Sequence, residues 1–338
     1  MVGQPGPLSS VADIPGSAET AHSQPARRIA ALDNARLAMA VMVVIGHAWI
    51  LHDNAPKLDY YKFWAASLRI VIPTFLMISG YYFHIRIRRG ISGWTRRTVM
   101  VFLAWSLLYA PFWIGTSGFS PERVLFYFTF GYYHLWYLPA FLGGGLILYV
   151  LRDLDTRRLL ALAVVLAVLG FVIQTGMNAA LDFGAVRYRA GLTVLPRNFL
   201  FYGFPYLAFG YLMARPGVLQ AVRRWMTPGM GLLIVGLYTA EVTANFLLVG
   251  RDGILDIMLT NIIAGPLLFA WLLGRQDGRT APWVAPMSAA IYFVHPAIIE
   301  VLEGGLHTGY VVTALAAVVL SFGAGAALMR ANRYVPLF

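Results

Sequence analysis

Asp33, Arg36 and His47 are the residues whose types and spacing first indicate chemistry, because all three lie in one apolar stretch of the chain. On a helix that turns about 100° per residue, the eleven steps from Arg36 to His47 leave the two side chains only about 20° apart. They share one helix face and are separated along its axis by roughly 16 Å. Such a helix holds a cation at one depth and a titratable base at another.

The composition places that helix in a membrane. Of 338 residues, 59% are hydrophobic and only 12% are charged, and this charged share is about half that of a usual soluble domain. Apolar runs of about 18 to 20 residues recur along the chain, and each is long enough to cross a hydrocarbon core. Because a backbone in lipid must satisfy its own hydrogen bonds, the runs predict helices. We therefore expect an all-α polytopic membrane protein.

The apolar runs predict a bundle of about ten transmembrane helices. They cover residues 30–51, 64–85, 97–115, 134–151, 158–174, 197–214, 229–249, 257–274, 284–303 and 310–330. The membrane domain is therefore expected over residues 29–331, between a disordered tail over 1–28 and a short C-terminal tail over 332–338. Most arginines outside the spans lie in every second connection, and these connections share one side of the membrane. By the positive-inside rule, we expect that side, which also holds both termini, to be cytoplasmic.

Charge and cysteine content exclude several classes of function. The formal net charge of +11 does not indicate a nucleic-acid partner, because the arginines lie at the ends of apolar segments rather than on one basic face. The chain has no cysteine, which excludes acyl transfer through a thiol and any thiolate metal site. No group of His, Asp and Glu has the ligand spacing that predicts a metal.

Ionisable residues within the spans are costly in lipid and are therefore candidates for function. Glu241 falls in the middle of the seventh span, where an interhelical hydrogen bond would also account for it. His295 lies in the ninth span. Asp33 taken alone could be a helix cap, and Arg36 taken alone could be a topological anchor. The combination of both with His47 favours a functional role.

Polar and aromatic residues also cluster where predicted spans begin. His134 and Trp136 open the fourth span at the outer surface, where an aromatic belt is the structural alternative, and Arg197 and Asn198 begin the sixth span as an anchor or a site wall. One predicted cytoplasmic loop carries Arg86, Arg88, Arg89, Arg96 and Arg97. Part of this loop's charge reports topology, yet so dense a cluster also suits an anionic ligand such as the phosphates of a nucleotide-bearing donor.

These motifs, in their order along the chain, resemble the membrane acyltransferase 3 family. Arg36 followed by ten residues and His47 is similar to the Arg-x10-His signature of that family, and the loop over 86–97 is similar to its basic cytoplasmic loop. Further similar elements are Phe75-Leu76-Met77-Ile78-Ser79-Gly80-Tyr81, His134-Leu135-Trp136-Tyr137-Leu138, Arg197-Asn198-Phe199 with Gly203-Phe204-Pro205 and Gly210, and Ile291-Tyr292-Phe293-Val294-His295. Tyr137 departs from the pattern, since the family usually has Phe there.

The resemblance implies an integral-membrane O-acyltransferase of a bacterial cytoplasmic (inner) membrane. It implies that an acyl group, often acetyl from acetyl-CoA, is taken up at the cytoplasmic side and placed on a hydroxyl of a glycan or other envelope acceptor. Acyl-CoA is then a donor substrate rather than a permanently bound cofactor. The partners implied are acyl-CoA, the acceptor and membrane lipid, without nucleic acid.

Roles for the candidate residues follow from this reaction. We expect His47 to act as general base on the acceptor hydroxyl, or as a nucleophile that accepts the acyl group. Arg36, oriented by Asp33, would hold the donor or help to neutralise the oxyanion. The donor phosphates would lie on Arg86, Arg89, Arg96 and Arg97. The acceptor site would be shaped by His134, Trp136, Arg197, Asn198, Glu241 and His295.

Two other classes of protein compete with an enzyme. A transporter or flippase of a small polar or lipid-linked substrate would suit ten spans with Glu241 and Asn261 at mid-depth. The sequence has neither paired Gly/Pro-broken spans nor a repeat between its halves, however. A sensor or binding module is the second alternative, and we see no extra domain that would receive its signal. The acceptor, the acyl group, an acyl-histidine intermediate and assembly into a homo-oligomer all stay open at this point.

Overall fold

The helical architecture expected from the apolar runs is confirmed. The computed structural model describes residues 29–51, 68–87, 90–181, 189–249, 254–275, 279–306, 309–334 and 338, and within these ranges the chain forms helices and no strand. The predicted N-terminal tail over 1–28 lies outside the described residues, as do residues 335–337 of the predicted C-terminal tail.

Within the described ranges, seven helices are long and apolar enough to cross a membrane. They lie at Ala30–Ala48, Leu68–Arg86, Ser92–Gly115, Tyr133–Leu151, Thr156–Ala180, Val284–Gly304 and Val311–Ala331. Each coincides with one of the ten predicted spans. The other three predicted spans correspond to short apolar helices at Phe199–Met213 and Asn261–Gly274 and to a 22-residue helix at Pro228–Val249 with polar residues in its interior. A total of ten spans therefore stays a prediction.

The helices are numbered here in chain order. They are α1 (Ala30–Leu51), α2 (Val71–Arg86), α3 (Ser92–Ser117), α4 (Pro121–Phe130), α5 (Tyr137–Leu151), α6 (Thr156–Ala180), α7 (Arg189–Thr193), α8 (Phe204–Met213), α9 (Val218–Arg223), α10 (Pro228–Val249), α11 (Asn261–Gly274), α12 (Val284–Leu306) and α13 (Tyr310–Ala331). Short 3-10 turns at Leu68–Ile70 and Tyr133–Trp136 precede α2 and α5, and a π-helical turn at Phe199–Gly203 precedes α8.

Two groups of helices position the site. In the first, α1 packs against α12 and α13, and in the second, α2 packs against α8. The crossing of α2 and α8 depends on Gly80 and Gly210, because a Cβ at Gly80 would collide with the Leu207 backbone and one at Gly210 with the Met77 backbone. Small residues that let helix backbones approach this closely are typical of helix packing in membranes.

The arginine distribution predicts that the connection containing α4 and the connection between α5 and α6 lie on opposite sides of the membrane. Glu122 on α4 is exposed, and the Asp153 side chain between α5 and α6 is 83% exposed. We expect a membrane-impermeant maleimide to label a Glu122→Cys variant in intact cells, and an Asp153→Cys variant only after the cells are permeabilised. The natural chain has no cysteine and serves as the unlabelled control. Labelling of Asp153→Cys in intact cells would reverse the predicted orientation.

Candidate active site

His47 on α1 and His295 on α12 form a direct hydrogen bond. Their rings are nearly parallel, with planes 12° apart, and His47 Nδ1 lies 2.7 Å from His295 Nε2. On its other side, His295 Nδ1 lies 3.0 Å from the carbonyl oxygen of Ile291. The two histidines are separated by 248 positions in the chain, and the packing of α1 on α12 brings them together.

This chain of contacts assigns the protons. A carbonyl oxygen only accepts hydrogen bonds, so a neutral His295 carries its proton on Nδ1 and accepts at Nε2. His47 then donates from Nδ1 and keeps an unprotonated Nε2. An imidazole fixed in this tautomer can take up a proton or attack a carbonyl carbon.

The position of His295 depends on a break in α12. Pro296 follows it inside the helix, and a proline there removes one backbone hydrogen bond and opens the preceding turn. The Tyr109 hydroxyl fills part of the opening, because it donates to the Phe293 carbonyl at 2.7 Å and accepts from the Ala297 N–H at 3.3 Å. His295 itself is fully buried. Pro296 and Tyr109 thus shape the turn of α12 that carries His295, and the bond from its Nδ1 to Ile291 holds the ring against His47.

A short turn before α5 brings Tyr133 and His134 beside the two histidines. Tyr133 has a φ of 48°, a left-handed conformation that is uncommon for a bulky residue and costs about 1–3 kcal/mol. The centre of its ring lies 5.0 Å from that of His47. The ring centres of His134 and His295 are 5.4 Å apart, and neither ring nitrogen of His134 has a hydrogen-bond partner among the described residues. The strained turn therefore places aromatic rings around the histidine pair.

The three histidines do not form a metal site by their geometry. Within the described ranges, no group of three or more His, Asp and Glu residues is arranged to hold a metal ion. The His47–His295 hydrogen bond uses one nitrogen of each ring, and the unprotonated Nε2 of His47 suits proton transfer or nucleophilic attack.

Asp256 bridges two arginines at the side of this cluster. Its Oδ1 lies 2.8 Å from Arg69 Nη1, and its Oδ2 lies 3.2 Å from Arg197 Nη1. The guanidinium carbon of Arg197 also lies 4.5 Å from the ring centre of Trp136. Burial by itself raises the pKa of the Asp256 carboxyl, but the Arg197 and Arg69 guanidiniums outweigh it and hold this pKa below its ordinary value. Asp256 is thus ionised at neutral pH.

Asp256 lies in a non-helical segment, Ile254–Thr260, that polar side chains of α6 hold in place. Gln174 accepts from the N–H groups of Asp256 at 2.9 Å and Ile257 at 2.8 Å, and it donates to the Ile257 carbonyl at 2.9 Å. Asn178 pairs in the same way with both backbone groups of Ile254, at 2.8 Å each. These amides replace the backbone hydrogen bonds that a helix would have supplied.

Glu241 on α10 holds the other end of the segment. Its carboxylate accepts from the N–H groups of Leu259 and Thr260 and from the Thr260 hydroxyl. Glu241 therefore anchors the turn that begins α11, whereas we had predicted a contact with the acceptor. Asn198 also has a structural position, because its Oδ1 accepts from Leu200 N at 2.8 Å and Phe201 N at 3.0 Å. It caps the π-helical turn, and neither residue lines the cavities described next.

Two cavities lie along the face of α1. One, of about 90 Å³, has His47, His134, Arg69, Arg197 and Asp256 as its charged and titratable lining, together with Trp136, Tyr202 and Tyr292. The other, of about 180 Å³, is lined by Arg36 with Ser79, Tyr137 and Ser288. Ile72 and Tyr292 line both. The two cavities are therefore neighbours, with Arg36 in one and His47 in the other.

Arg36 and Asp33 form an ion pair at the beginning of α1. Arg36 Nη1 lies 3.7 Å from Asp33 Oδ1, and the guanidinium carbon lies 5.4 Å from the ring centre of Tyr82. Asp33 is 2% exposed and lies within the first turn of α1 rather than at the capping position. It can therefore orient the guanidinium, and its charge is favourable at a helix N-terminus.

The predicted phosphate-binding arginines lie apart from both cavities. Arg86, Arg96 and Arg97 are exposed, and Arg97 donates to the Phe338 carbonyl oxygen at 2.7 Å. Arg89 lies outside the described residues. Because α2 begins near the end of α1 and runs back along it, Arg86 at the end of α2 lies toward the same end of the bundle as Arg36. Their binding to donor phosphates stays a prediction.

Arg69 and Asp256 are the charged residues of the cavity that sequence reasoning did not assign to the site. Asp256 lies beside a predicted span boundary, where an acid is not costly and gives no signal. Arg69 lies inside a span, and a cation in that position requires a counter-charge. The need of Arg69 for a counter-charge is the signal that could have identified Asp256 as its partner.

Removal of the Gln174 side chain should destabilise the bundle. A Gln174→Leu variant leaves two buried N–H groups and one carbonyl of the Asp256 segment without partners, at about 1 kcal/mol or more each. We expect the free energy of unfolding to fall by about 3 kcal/mol, measured as a lower Tm of the detergent-purified protein. Thr175→Leu is the matched control, because Thr175 is its exposed neighbour on α6. Equal effects of the two substitutions would contradict the anchoring role of Gln174.

Comparison with known proteins gives one family and two curated relatives. A family model described as an acyltransferase domain, acyltransferase 3, matches residues 29–330. A serine/alanine racemase of Enterococcus gallinarum is 25% identical over 294 residues, and an amino-acid racemase of Enterococcus faecalis is 23% identical over 292. These matches cover 78% and 80% of this chain but only 40% and 41% of the relatives, so the chain spans about two fifths of their length. No solved structure matches the chain significantly.

The family match extends over nearly the whole helical bundle. It includes α1 with Arg36 and His47, α12 with His295, and the non-helical segment that carries Asp256. The resemblance predicted from the order of short motifs is thus confirmed over the same part of the chain. The protein belongs to the acyltransferase 3 family.

Proposed function

We propose that this protein is a membrane O-acyltransferase that moves an acyl group, of which acetyl is the best candidate, from a cytoplasmic acyl-CoA to a hydroxyl. The acceptor would be a glycan or another component of the cell envelope. The observation that carries the proposal is the hydrogen-bonded chain from Ile291 through His295 to His47, which leaves the Nε2 atom of His47 unprotonated in a membrane-embedded cavity. The family supports acyl transfer as the reaction type.

The donor would occupy the cavity of Arg36. Its thioester would reach toward His47, and the phosphates would lie near the arginine-rich end of the bundle. The axial separation of roughly 16 Å between Arg36 and His47 is of the same order as the length of a pantetheine arm. Because Arg36 lines the cavity next to that of His47, the geometry favours a grip on the donor over contact with the oxyanion.

In the direct reaction, His47 Nε2 takes the proton of the acceptor hydroxyl while the oxygen of that hydroxyl attacks the thioester carbonyl. The C–S bond then breaks, and the leaving thiolate takes the proton from His47. His295 accepts the hydrogen bond from His47 Nδ1 throughout, so it fixes the ring and stabilises the imidazolium that forms in passing. In the two-step alternative, the same Nε2 lone pair attacks the thioester carbonyl, the C–S bond breaks with release of the CoA thiolate, and an acyl-histidine forms. The acceptor hydroxyl then takes the acyl group from His47, and its proton goes to the thiolate.

A transporter or flippase is the second candidate, and one observation favours it. The two adjoining cavities contain buried charged groups along one face of α1, as a pathway for a polar substrate would. The two relatives are named as racemases, and the match covers about two fifths of those proteins, so their names do not indicate that the matched part performs racemisation. Thioester turnover by detergent-purified protein, without any gradient, separates the enzyme from the carrier.

Substitution of the histidine pair tests the enzyme directly. We expect His47→Ala to lower kcat by 10²-fold or more, because the proton acceptor is lost. His295→Ala should lower kcat less and leave the donor KM unchanged, because it removes only the group that orients His47. The measurement is CoA release from acetyl-CoA, read by a thiol reagent, for which a chain without cysteine gives no background.

His84→Ala provides the control for this experiment, since His84 lies on α2 against Tyr211 and outside both cavities. It should leave CoA release unchanged. A His47→Ala variant that inserts correctly and keeps the wild-type rate would remove His47 from the reaction.

Arg36→Lys should raise the donor KM without a comparable change in kcat. Lysine keeps the charge but lacks the planar fork of donors that can bind an anion or carbonyl at two points. The measurement is initial rate against acetyl-CoA concentration at saturating acceptor. An unchanged donor KM would show that Arg36 does not contact the donor.

A further inference from the structure

We propose that Arg69, Arg197 and Asp256 form a subsite for a carboxylate group of the acceptor, so that the acceptor is an acidic hydroxyl compound such as a uronic acid. This inference rests on the proposed acyl transfer, because it names the substrate class of the same cavity. It concerns the charged side chains that line the same cavity as His47.

The charges of this subsite do not balance. Two guanidinium groups face one carboxylate, and each makes a single contact with it, Arg69 at 2.8 Å and Arg197 at 3.2 Å. All three side chains line the cavity of His47. The histidine chain assigned above is neutral, so the described part of the lining carries a net charge of about +1. An excess of positive charge on partly buried groups favours a bound anion.

The arginines also have unused hydrogen-bond donors. A guanidinium has five N–H donors, and the Nε atoms of Arg69 and Arg197 are both buried without a hydrogen-bond partner among the described residues. Arg197 makes one further bond, from Nη2 to the Thr193 hydroxyl at 3.2 Å. Since the single carboxylate of Asp256 already contacts both groups, the described residues leave these N–H donors open to an acceptor from a ligand.

The subsite is held rigidly by its surroundings. Gln174 fixes the backbone of Asp256, Asn261 donates to the Arg69 carbonyl at 3.1 Å, and the ring of Trp136 lies against the Arg197 guanidinium. A preformed site of this kind loses little entropy when a ligand binds. Trp136 and Tyr202 also present aromatic surface to the same cavity, which suits the apolar face of a sugar ring.

A carboxylate fits these groups better than a phosphate monoester. It carries one negative charge, which matches the single excess positive charge, and it is planar like the guanidinium fork. A phosphate monoester carries about two negative charges at neutral pH and would leave one of them uncompensated. An acid on the acceptor would also place its hydroxyl in the cavity of about 90 Å³ that contains His47.

The test uses a matched pair of methyl glycosides, methyl glucuronide with a free carboxylate at C6 and methyl glucoside with a hydroxymethyl group in its place. With full-length protein in detergent, methyl glucuronide should raise the Tm and support CoA release at a kcat/KM at least tenfold above that of methyl glucoside. Arg197→Gln should reduce this preference to less than threefold. Arg197→Lys, which keeps the charge, should retain part of it. Arg123→Gln is the matched control, because Arg123 lies on α4 and contacts only local groups at Gly118 and Ser120.

The possible outcomes separate this inference from the proposed function. Equal use of the two acceptors, with a ratio that Arg197→Gln does not change, would overturn the carboxylate subsite and leave acyl transfer intact. A larger Tm shift with glucose 6-phosphate than with methyl glucuronide would also overturn it, in favour of a phosphate. An Arg197-dependent Tm shift with methyl glucuronide, without CoA release from any acceptor, would support the subsite and count against the transferase.

Discussion

The structure depends on one constraint, which is that a buried backbone must find a partner for every N–H and carbonyl group. The segment Ile254–Thr260 is not helical and cannot meet this requirement by itself. Gln174, Asn178 and Glu241 supply the missing partners from α6 and α10. These polar side chains are costly in the spans. Their hydrogen bonds offset that cost, because they hold the non-helical segment that carries Asp256 into the bundle. Without it, the partly buried Arg69 and Arg197 would lose the carboxylate that pairs with both among the described residues.

The same segment determines how charge is distributed around the histidines. Neutral His295, held by its bond to Ile291, accepts a hydrogen bond from His47 Nδ1 and does not take the proton itself. It differs in this from a carboxylate partner, which would stabilise a charged His47 by its full negative charge. The ionic groups of the cavity lie instead on Arg69, Arg197 and Asp256. In the proposed reaction, orientation of the base and binding of an anion would therefore depend on separate groups, and each could be altered without removal of the other.

Sequence reasoning predicted the elements better than the contacts between them. Apolar runs predicted the long helices, and the helical period placed Arg36 and His47 along one face, where the two cavities now lie. A polar residue within a span gives the same signal whether it holds backbone or substrate, and for this reason Glu241 was assigned to the acceptor site. The pairing of His47 with His295 spans 248 positions, and no local pattern encodes it. Asp256 gave no signal because it lies in a connection.

The wall between the two cavities has a consequence for the size of the acyl group. Ile72 and Tyr292 line both cavities, and Tyr292 is fixed by the bond from its hydroxyl to the His134 carbonyl at 2.6 Å. A donor held at Arg36 must pass its thioester between these side chains to meet His47. On the far side, the acyl group shares a cavity of about 90 Å³ with the hydroxyl that attacks it. In the proposed reaction, Ile72 and Tyr292 would therefore be the side chains that decide how bulky an acyl group can reach His47.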